Sequence, residues 1–199
     1  DTNTLYETLF DSTVHSDPDA GGLINYSYLS GENITKIQAG RPLFVRTPNS
    51  KMNLANFFLT QLYAAFAPLK IGMDILLNEE HVQTDVMIAQ GGLFGTPVIG
   101  QQVLSNALNI PITIMNTASE GGPWGMAVLA KYAETGAQES LADYLDEKVF
   151  KDPESMTLTP EPAGVKGYEE FIKRYQIGLP VESLAGQDID ERNAEKGRD

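Results

Sequence analysis

Two glycine-rich turns, each placed between a short apolar run and a helix start, are the segments of this chain best suited to chemistry. Gly91 and Gly92 follow the apolar run at residues 86–89, and a turn at residues 119–122 follows the run at residues 110–115. Short, nearly continuous apolar runs are typical of parallel strands that are covered on both faces. In an open α/β sheet, ligands bind beyond the carboxyl ends of such strands, where helix N-termini present unpaired amides and a partial positive charge. The pattern therefore predicts a phosphate-bearing ligand at one edge of a sheet.

The glycines of the first turn have a specific chemical use. A turn without Cβ atoms lets a nucleotide lie directly against the backbone, and Thr96 offers a small polar side chain at the predicted helix start, before Pro97. The alternative is that any strand-to-helix turn needs glycine, and the residues alone favour this structural interpretation. The chain has no Walker sequence, because Gln101 stands where that motif needs lysine, and it has no glycine fingerprint of a dinucleotide site. A nicotinamide site is therefore not expected.

Composition and charge restrict the class of protein. The 199 residues are 42% hydrophobic, which is enough for one sizeable core, and their formal charge of −13 repels a nucleic acid. The absence of cysteine excludes disulfides and thiolate chemistry, and His15 and His81 lack metal-ligand spacing. No apolar run approaches the ~20 residues that cross a bilayer, and no signal peptide is recognisable. We expect a soluble, cytoplasmic protein with no nucleic-acid partner, no membrane contact and no protein metal site.

The elements that must position the two turns follow from hydrophobic periodicity. In chain order they are a helix within residues 1–20, a loop at 21–52 that ends in a strand at 43–46, a long helix at 53–77 bent at Pro68, the two strand-and-helix units, a helix at 141–149, a proline-marked surface loop and a short helix at 168–175. Residues 181–199 contain no aromatic residue and mix both charges, which predicts a mobile tail. The expected domain therefore covers residues 1–180, with residues 181–199 as the tail.

Four segments resemble the C-terminal domain of the FGGY carbohydrate kinases, the family of xylulose, ribulose, gluconate and glycerol kinases. Residues 28–32 (YLSGE) resemble the family's YLSGER loop, and residues 44–45 with the long helix after them resemble its FVGL strand and helix. Residues 91–97 (GGLFGTP) resemble its GGGAKSP turn, and residues 119–127 (SEGGPWGMA) resemble its EGxALGAA turn. Each motif is weak, but the four in this order and spacing are specific. Within the family, the chain is most similar to the ribulokinase and xylulose kinase side.

The resemblance implies an actin-like ATPase or ribonuclease H-like α/β domain, a mixed sheet with parallel strands and helices on both faces. Such a domain closes over ATP or ADP with Mg²⁺. The implied site residues are, on the nucleotide side, Gly91, Gly92, Gly95 and Thr96 and, lining the cleft toward the sugar, Tyr28, Glu32 and Arg41. In this family the catalytic aspartate and the first strands of the domain precede the matching region. The chain, which opens on Asp1, is therefore expected to be incomplete at its N-terminus and to need an N-terminal kinase domain as partner.

The expected function is that of the ATP-binding half of a carbohydrate kinase. The intact protein would phosphorylate a ketopentose such as xylulose or ribulose, or a related polyol, and the chain by itself would be inactive because it holds no catalytic residue. One alternative is a non-catalytic actin-like binding or assembly module, since fold alone does not settle function. A weaker alternative is a Rossmann-type oxidoreductase, which lacks its fingerprint here. A homodimer remains an open alternative for the assembly.

Overall fold

The structure, a computed structural model, describes residues 2–95, 98–116, 118–135, 138–151 and 154–189. Within these residues, helices and strands form two separate sheets and one helical core. The helices are α1 (Thr2–Asp11), α2 (Leu54–Asp74), α3 (Ile99–Leu108), α4 (Gly121–Glu134), α5 (Leu141–Tyr144) and α6 (Pro162–Asp188). The strands are β1 (Ile24–Tyr26), β2 (Leu43–Val45), β3 (Met87–Ile88), β4 (Ile112–Met115) and β5 (Ser155–Leu158).

The long helix α2 confirms the strongest periodic pattern of the sequence. Asn53 caps it, because its side-chain oxygen accepts the backbone N–H of Asn56 at 2.8 Å. Pro68 lies inside the helix, which continues beyond Asp74 as a π-helical turn over Ile75–Glu79. The segment before α2 is more ordered than its loop-like composition predicts, since β1 is buried and pairs with β2 in an antiparallel ladder.

The second sheet is mixed, as predicted, but only one of its faces is covered. Strand β3 is parallel to β4, and β5 is antiparallel to β4. Helix α3 packs on the face that carries Ile112, which is fully buried, whereas Ile88 on the other face is 57% exposed. The expectation of helices on both faces is therefore wrong for the described residues. The physical reason is that β3, α3 and β4 form the one parallel crossover among them, and a crossover places its helix on a single face.

Strand β5 was not predicted from the sequence. Residues 155–158 lie in a stretch whose prolines indicate a surface loop, and three of the four residues are exposed. An edge strand of this kind lacks the apolar alternation that marks a half-buried strand. The strand forms because each of its four residues pairs with a residue of β4.

Buried aromatic residues join α2, α6 and β1 into the core. The ring of Tyr63 on α2 lies 4.8 Å from that of Tyr168 and 5.1 Å from that of Phe171, both on α6. The ring of Tyr26 on β1 lies 4.7 Å from that of Tyr175, and the Tyr26 hydroxyl donates to the Tyr175 carbonyl at 2.8 Å. Burial raises the pKa of the Tyr26 hydroxyl and that of the Tyr63 hydroxyl far above the ordinary value of a tyrosine, so both groups stay protonated and act as donors. The core thus buries polar hydroxyls only where they have partners.

Helix α6 corrects two predictions. The predicted short helix at 168–175 belongs to one helix from Pro162 to Asp188, and residues 181–188, which were assigned to a mobile tail, form its last two turns. Gly186 in that stretch is buried, since a Cβ added there would lie 1.6 Å from the carbonyl oxygen of Ala39. Composition misled the prediction because the last turns of this helix bury Glu182, Ala185 and Gly186 rather than large apolar side chains. Residues 190–199 of the predicted tail lie outside the described residues.

A buried carboxyl group anchors the end of α6. Glu182 is fully buried, and its Oε1 accepts the backbone N–H of Arg41 at 2.7 Å. Its Oε2 has no hydrogen-bond partner among the described residues. Burial raises the pKa of this carboxyl group, and the contact with Arg41 lowers it by less.

The replacement of Gly186 by alanine tests the close approach of α6. We expect Gly186→Ala to lower the free energy of unfolding by about 2 to 3 kcal/mol, because its methyl group overlaps a backbone oxygen that has no room to move. Gly125→Ala in α4 is the matched control, since a Cβ there meets no atom within 4 Å. In that helix alanine is expected to raise stability by about 0.5 to 1 kcal/mol. Urea unfolding of both variants measures the difference, and equal effects would contradict the packing of the last turns of α6.

The buried carboxyl group of Glu182 predicts a pH dependence of stability. Its pKa is raised in the folded state, so its contribution is fully present below the unfolded pKa of about 4.3 and is lost as pH rises through the raised value. Glu182→Gln cannot ionise, and we expect its stability relative to the parent to increase from pH 4 toward neutrality. Glu169→Gln, an exposed position on the same helix, controls for the loss of one charge. Urea unfolding as a function of pH measures this, and a pH-independent difference for Glu182→Gln would refute it.

Candidate functional site

The two glycine turns meet at one edge of the mixed sheet, which confirms the arrangement expected from the sequence. Ala89, just after β3, donates its N–H to the carbonyl of Thr113 in β4 at 3.0 Å. Gly91 then donates its N–H to the carbonyl of Ala118 in the second turn at 2.8 Å. Its φ of +133° is one that favours glycine. The turns are therefore joined backbone to backbone beyond the carboxyl ends of two parallel strands.

Each turn continues as a short 3₁₀ segment, Gly92–Gly95 in the first and Ala118–Glu120 in the second. The first segment starts with the N–H of Phe94 on the carbonyl of Gly91 at 3.0 Å. Gly121 at the start of α4 lies under Gln90, because a Cβ added there would be 2.3 Å from the Gln90 side-chain oxygen. This second glycine position thus serves the packing between the two turns.

A cavity of about 250 Å³ lies between the turns and opens at the end of β4. Its wall combines apolar and polar side chains, which include Phe94, Ile114, Met156, Gln101, Asn116 and Ser119. Phe94 and Ser119 come one from each turn, and Asn116 directly follows β4. The cavity therefore has the mixed lining with a few polar groups that is typical of small-molecule sites.

Gln101 is the residue of this cavity that sequence reasoning did not assign to a site. It is fully buried, and its Nε2 donates to the carbonyls of Ile112 and Met156, each at 2.8 Å. Its Oε1 has no partner among the described residues. One signal in the sequence points to it. Gln101 shares the buried face of α3 with Leu104 and Leu108, at helical spacing, and a long polar side chain is uncommon there.

The predicted nucleotide-binding residues lie on the open side of the first turn where the structure describes them. Gly91 is partly exposed, Gly92 is exposed, and a Cβ added to either would meet no atom within 4 Å. Gly95 ends the 3₁₀ segment, and Thr96, the predicted helix cap, lies outside the described residues. Both glycines thus border open space next to the cavity, and their contact with a nucleotide stays a prediction.

The three predicted cleft residues are held by contacts within the chain. The hydroxyl of Tyr28 lies 2.5 Å from that of Tyr175 and 3.1 Å from that of Thr35. Glu32 accepts the N–H of Ile34 at 2.9 Å, and the Arg41 guanidinium donates to the carbonyls of Gly40, at 2.7 Å, and Ile189. Burial raises the pKa of Tyr28, so its hydroxyl stays protonated in this network. Their role toward a sugar stays a prediction.

The described residues hold neither a cluster of metal-ligating side chains nor a membrane-spanning helix. No three side chains of histidine, cysteine, aspartate or glutamate among them converge as a metal site. In the same residues, no helix is both long and apolar enough to cross a membrane.

The solved structures to which this chain is similar include several sugar kinases. A gluconate kinase from Lactobacillus acidophilus aligns with a TM-score of 0.69 at 18% identity, over 92% of this chain and 35% of that one. A xylulose kinase from Rhodospirillum rubrum gives a TM-score of 0.63 at 16% identity, over 88% of this chain and 34% of that one. The Plasmodium falciparum glycerol kinase, in a crystal structure with ADP, gives a TM-score of 0.58 at 18% identity, over 84% of this chain and 32% of that one. The chain thus spans about a third of the length of these structures.

Comparison with curated proteins found no match. A family model does match, over residues 1–134, and it describes the C-terminal domain of the FGGY family of carbohydrate kinases. The matched region contains both glycine turns, the cavity residues of α3 and β4, and the long helix α2. The chain therefore belongs to the FGGY family of carbohydrate kinases, within the C-terminal domain of that family.

Proposed function

We propose that the intact protein transfers the γ-phosphate of ATP to a sugar hydroxyl and that this chain is its ATP-binding half. The observation that carries the proposal is the cavity between two glycine turns at the carboxyl ends of parallel strands. In open α/β sheets this is the place where nucleotides and other phosphate-bearing ligands bind. Membership of the FGGY family supports a sugar kinase as the class of enzyme.

The geometry suits a division of the nucleotide between the cavity and the first turn. A volume of about 250 Å³ is at the small end for a ligand pocket, so it accommodates a base rather than a whole nucleotide. Phe94 and Ile114 offer apolar contact to such a base, and Asn116 and Ser119 offer polar groups at its edge. The backbone around Gly92 is open to solvent, which leaves space for the ribose and the phosphates. ATP and ADP therefore fit the residues present.

Phosphoryl transfer also needs a proton-accepting residue and charge stabilisation, and we propose that these come from outside the described residues. The reaction requires the attacking and leaving oxygens in line, metal ions on the phosphates and a residue that accepts the hydroxyl proton. The described residues contain no acidic cluster suited to Mg²⁺, so we derive no step through the metal from them. We propose that an N-terminal kinase domain supplies the catalytic aspartate and most of the sugar site. The contribution of this chain is positioning.

The finer features of the proposal come from the family motifs. We propose an actin-like, ribonuclease H-like domain that lacks its first strands here and extends through α6. The substrate is a ketopentose such as xylulose or ribulose, or a related polyol, with Tyr28, Glu32 and Arg41 on the sugar side of the cleft. The names of the similar structures, which include xylulose and gluconate kinases, support this range of substrates. A cytoplasmic location, and a homodimer as one assembly, complete the proposal.

A valine at position 92 tests the nucleotide site. We expect Gly92→Val to weaken ADP binding about tenfold or more, because its side chain occupies the space in which the nucleotide lies against the backbone. The fold has room for this side chain, since a Cβ at Gly92 meets no atom within 4 Å. Titration calorimetry of the parent chain and the variant measures the change.

Gly125→Val is the matched control for this experiment. Its Cβ is equally free of neighbours, but it lies on α4, outside the cavity wall. ADP affinity should be unchanged in this control. If Gly92→Val binds ADP as tightly as the parent chain, the nucleotide is misplaced, and if the parent chain binds no ADP, the non-catalytic binding module becomes the better proposal.

The proposed division of labour predicts the activity of the chain by itself. We expect these 199 residues to show no sugar-dependent release of ADP in a coupled assay with ATP, Mg²⁺ and xylulose or ribulose. The physical reason is that the proposed catalytic aspartate belongs to the N-terminal kinase domain, and that no metal-ligating cluster lies among the described residues. Sugar-dependent turnover would show that the chain contains its own catalytic residues.

A further inference from the structure

The side-chain amide of Gln101 has hydrogen-bond partners for its nitrogen but none, among the described residues, for its oxygen. Its Nε2 uses both protons, one on the carbonyl of Ile112 in β4 and one on the carbonyl of Met156 in β5, each at 2.8 Å. Its Oε1 is buried without a hydrogen-bond partner among the described residues. A buried acceptor without a partner is costly, and most buried polar atoms in proteins have a partner. Such an atom therefore calls for an explanation in terms of function.

The orientation of this amide is fixed by its surroundings. Exchange of the oxygen and the nitrogen would place Oε1 against two carbonyl oxygens, all of them acceptors, and would break both hydrogen bonds. The amide thus joins two strands by its nitrogen and presents an acceptor on its other side. Gln101 contributes to the wall of the cavity between the glycine turns, together with Asn116 and Ser119. The residue that carries the unsatisfied acceptor is therefore one of those that line the cavity.

We propose that the Gln101 Oε1 accepts a hydrogen bond from the ligand in this cavity and that the donor is the exocyclic amine of adenine. This inference rests on the proposed function and adds a residue that determines base specificity. A cavity of about 250 Å³ takes a purine base, and apolar contact with Phe94 and Ile114 leaves the base edge to the polar groups. An acceptor that cannot rotate selects a donor at one position of that edge, and it disfavours a base that lacks the donor.

Two ligands that differ in one group test the proposal directly. Purine riboside 5′-diphosphate has the ADP structure with hydrogen in place of the 6-amino group. We expect the parent chain to bind it about tenfold more weakly than ADP, since the analogue leaves the Gln101 oxygen unsatisfied in the complex. Titration calorimetry with both ligands gives the ratio of the two affinities.

The variant Gln101→Met separates recognition from packing. It keeps the length of the side chain without an acceptor, and we expect its two affinities to differ by less than about twofold. If the role of Gln101 is purely structural, the substitution will weaken the binding of both ligands equally and leave the ratio of their affinities at its parent value. Gln102→Met is the matched control, because this neighbouring glutamine bonds to Asn106 and Thr159 and lies outside the cavity wall. The control should keep the tenfold preference of the parent chain.

The outcomes distinguish the two levels of the proposal. Equal affinity of the parent chain for both ligands would overturn the role of Gln101 and leave the nucleotide site intact. The same holds if Gln101→Met keeps the parent ratio. If the parent chain binds neither ligand, the proposed function fails, and this inference fails with it.

A second measurement applies if Gln101→Met does not fold, as its circular dichroism would reveal. The side-chain amide of Gln101 is then followed by NMR in the ¹⁵N-labelled parent chain, after assignment by through-bond experiments on the ¹³C,¹⁵N-labelled chain. We expect ADP to shift this signal and purine riboside 5′-diphosphate to leave it near its free position. Identical shifts with both ligands would overturn the proposal.

Discussion

Close backbone contact between α6 and the segments beneath it is the constraint on which the other parts of the structure depend. A methyl group on Gly167 would lie 1.9 Å from the Pro18 carbonyl oxygen, and one on Gly186 would lie 1.6 Å from that of Ala39. A methyl group on Gly164 would likewise overlap the side chain of Asn106 on α3. Because α6 touches α3 so closely, it positions the helix that carries Gln101. The wall of the cavity thus depends on a helix that contributes no residue to it.

The site itself results from two contacts that join separate segments. The hydrogen bond from Gly91 to Ala118 joins the two turns, and the Gln101 amide joins α3 to β4 and β5. Neither contact involves a charged group, which suits the proposed role of the cavity in binding rather than in proton transfer. This agrees with the proposed role in positioning a nucleotide, in which other parts of the kinase supply the proton-accepting residue and the metal site.

Local pattern was sufficient for the elements with strong periodicity. The helix α2, the helix α4 and the strand β4 lie within three residues of their predicted positions, because their apolar residues recur at the spacing of their own secondary structure. The edge strand β5 and the last two turns of α6 were missed for the opposite reason. Their stability comes from a ladder on β4 and from glycine contacts with a loop more than 140 residues away, such as that of Gly186 with Ala39, and neither leaves a local hydrophobic pattern.

The sequence by itself determined the order of the strongly periodic elements, the two glycine turns and the family to which the chain belongs, since each of these follows from residue types at short spacing. Only the tertiary structure showed that Gln101 pairs with Met156, that Glu182 holds the backbone of Arg41, and that one face of the mixed sheet stays open. These features depend on side chains that meet backbone groups 55 and 141 residues away along the chain. Local periodicity carries no information on such meetings, because they follow from how the helices pack.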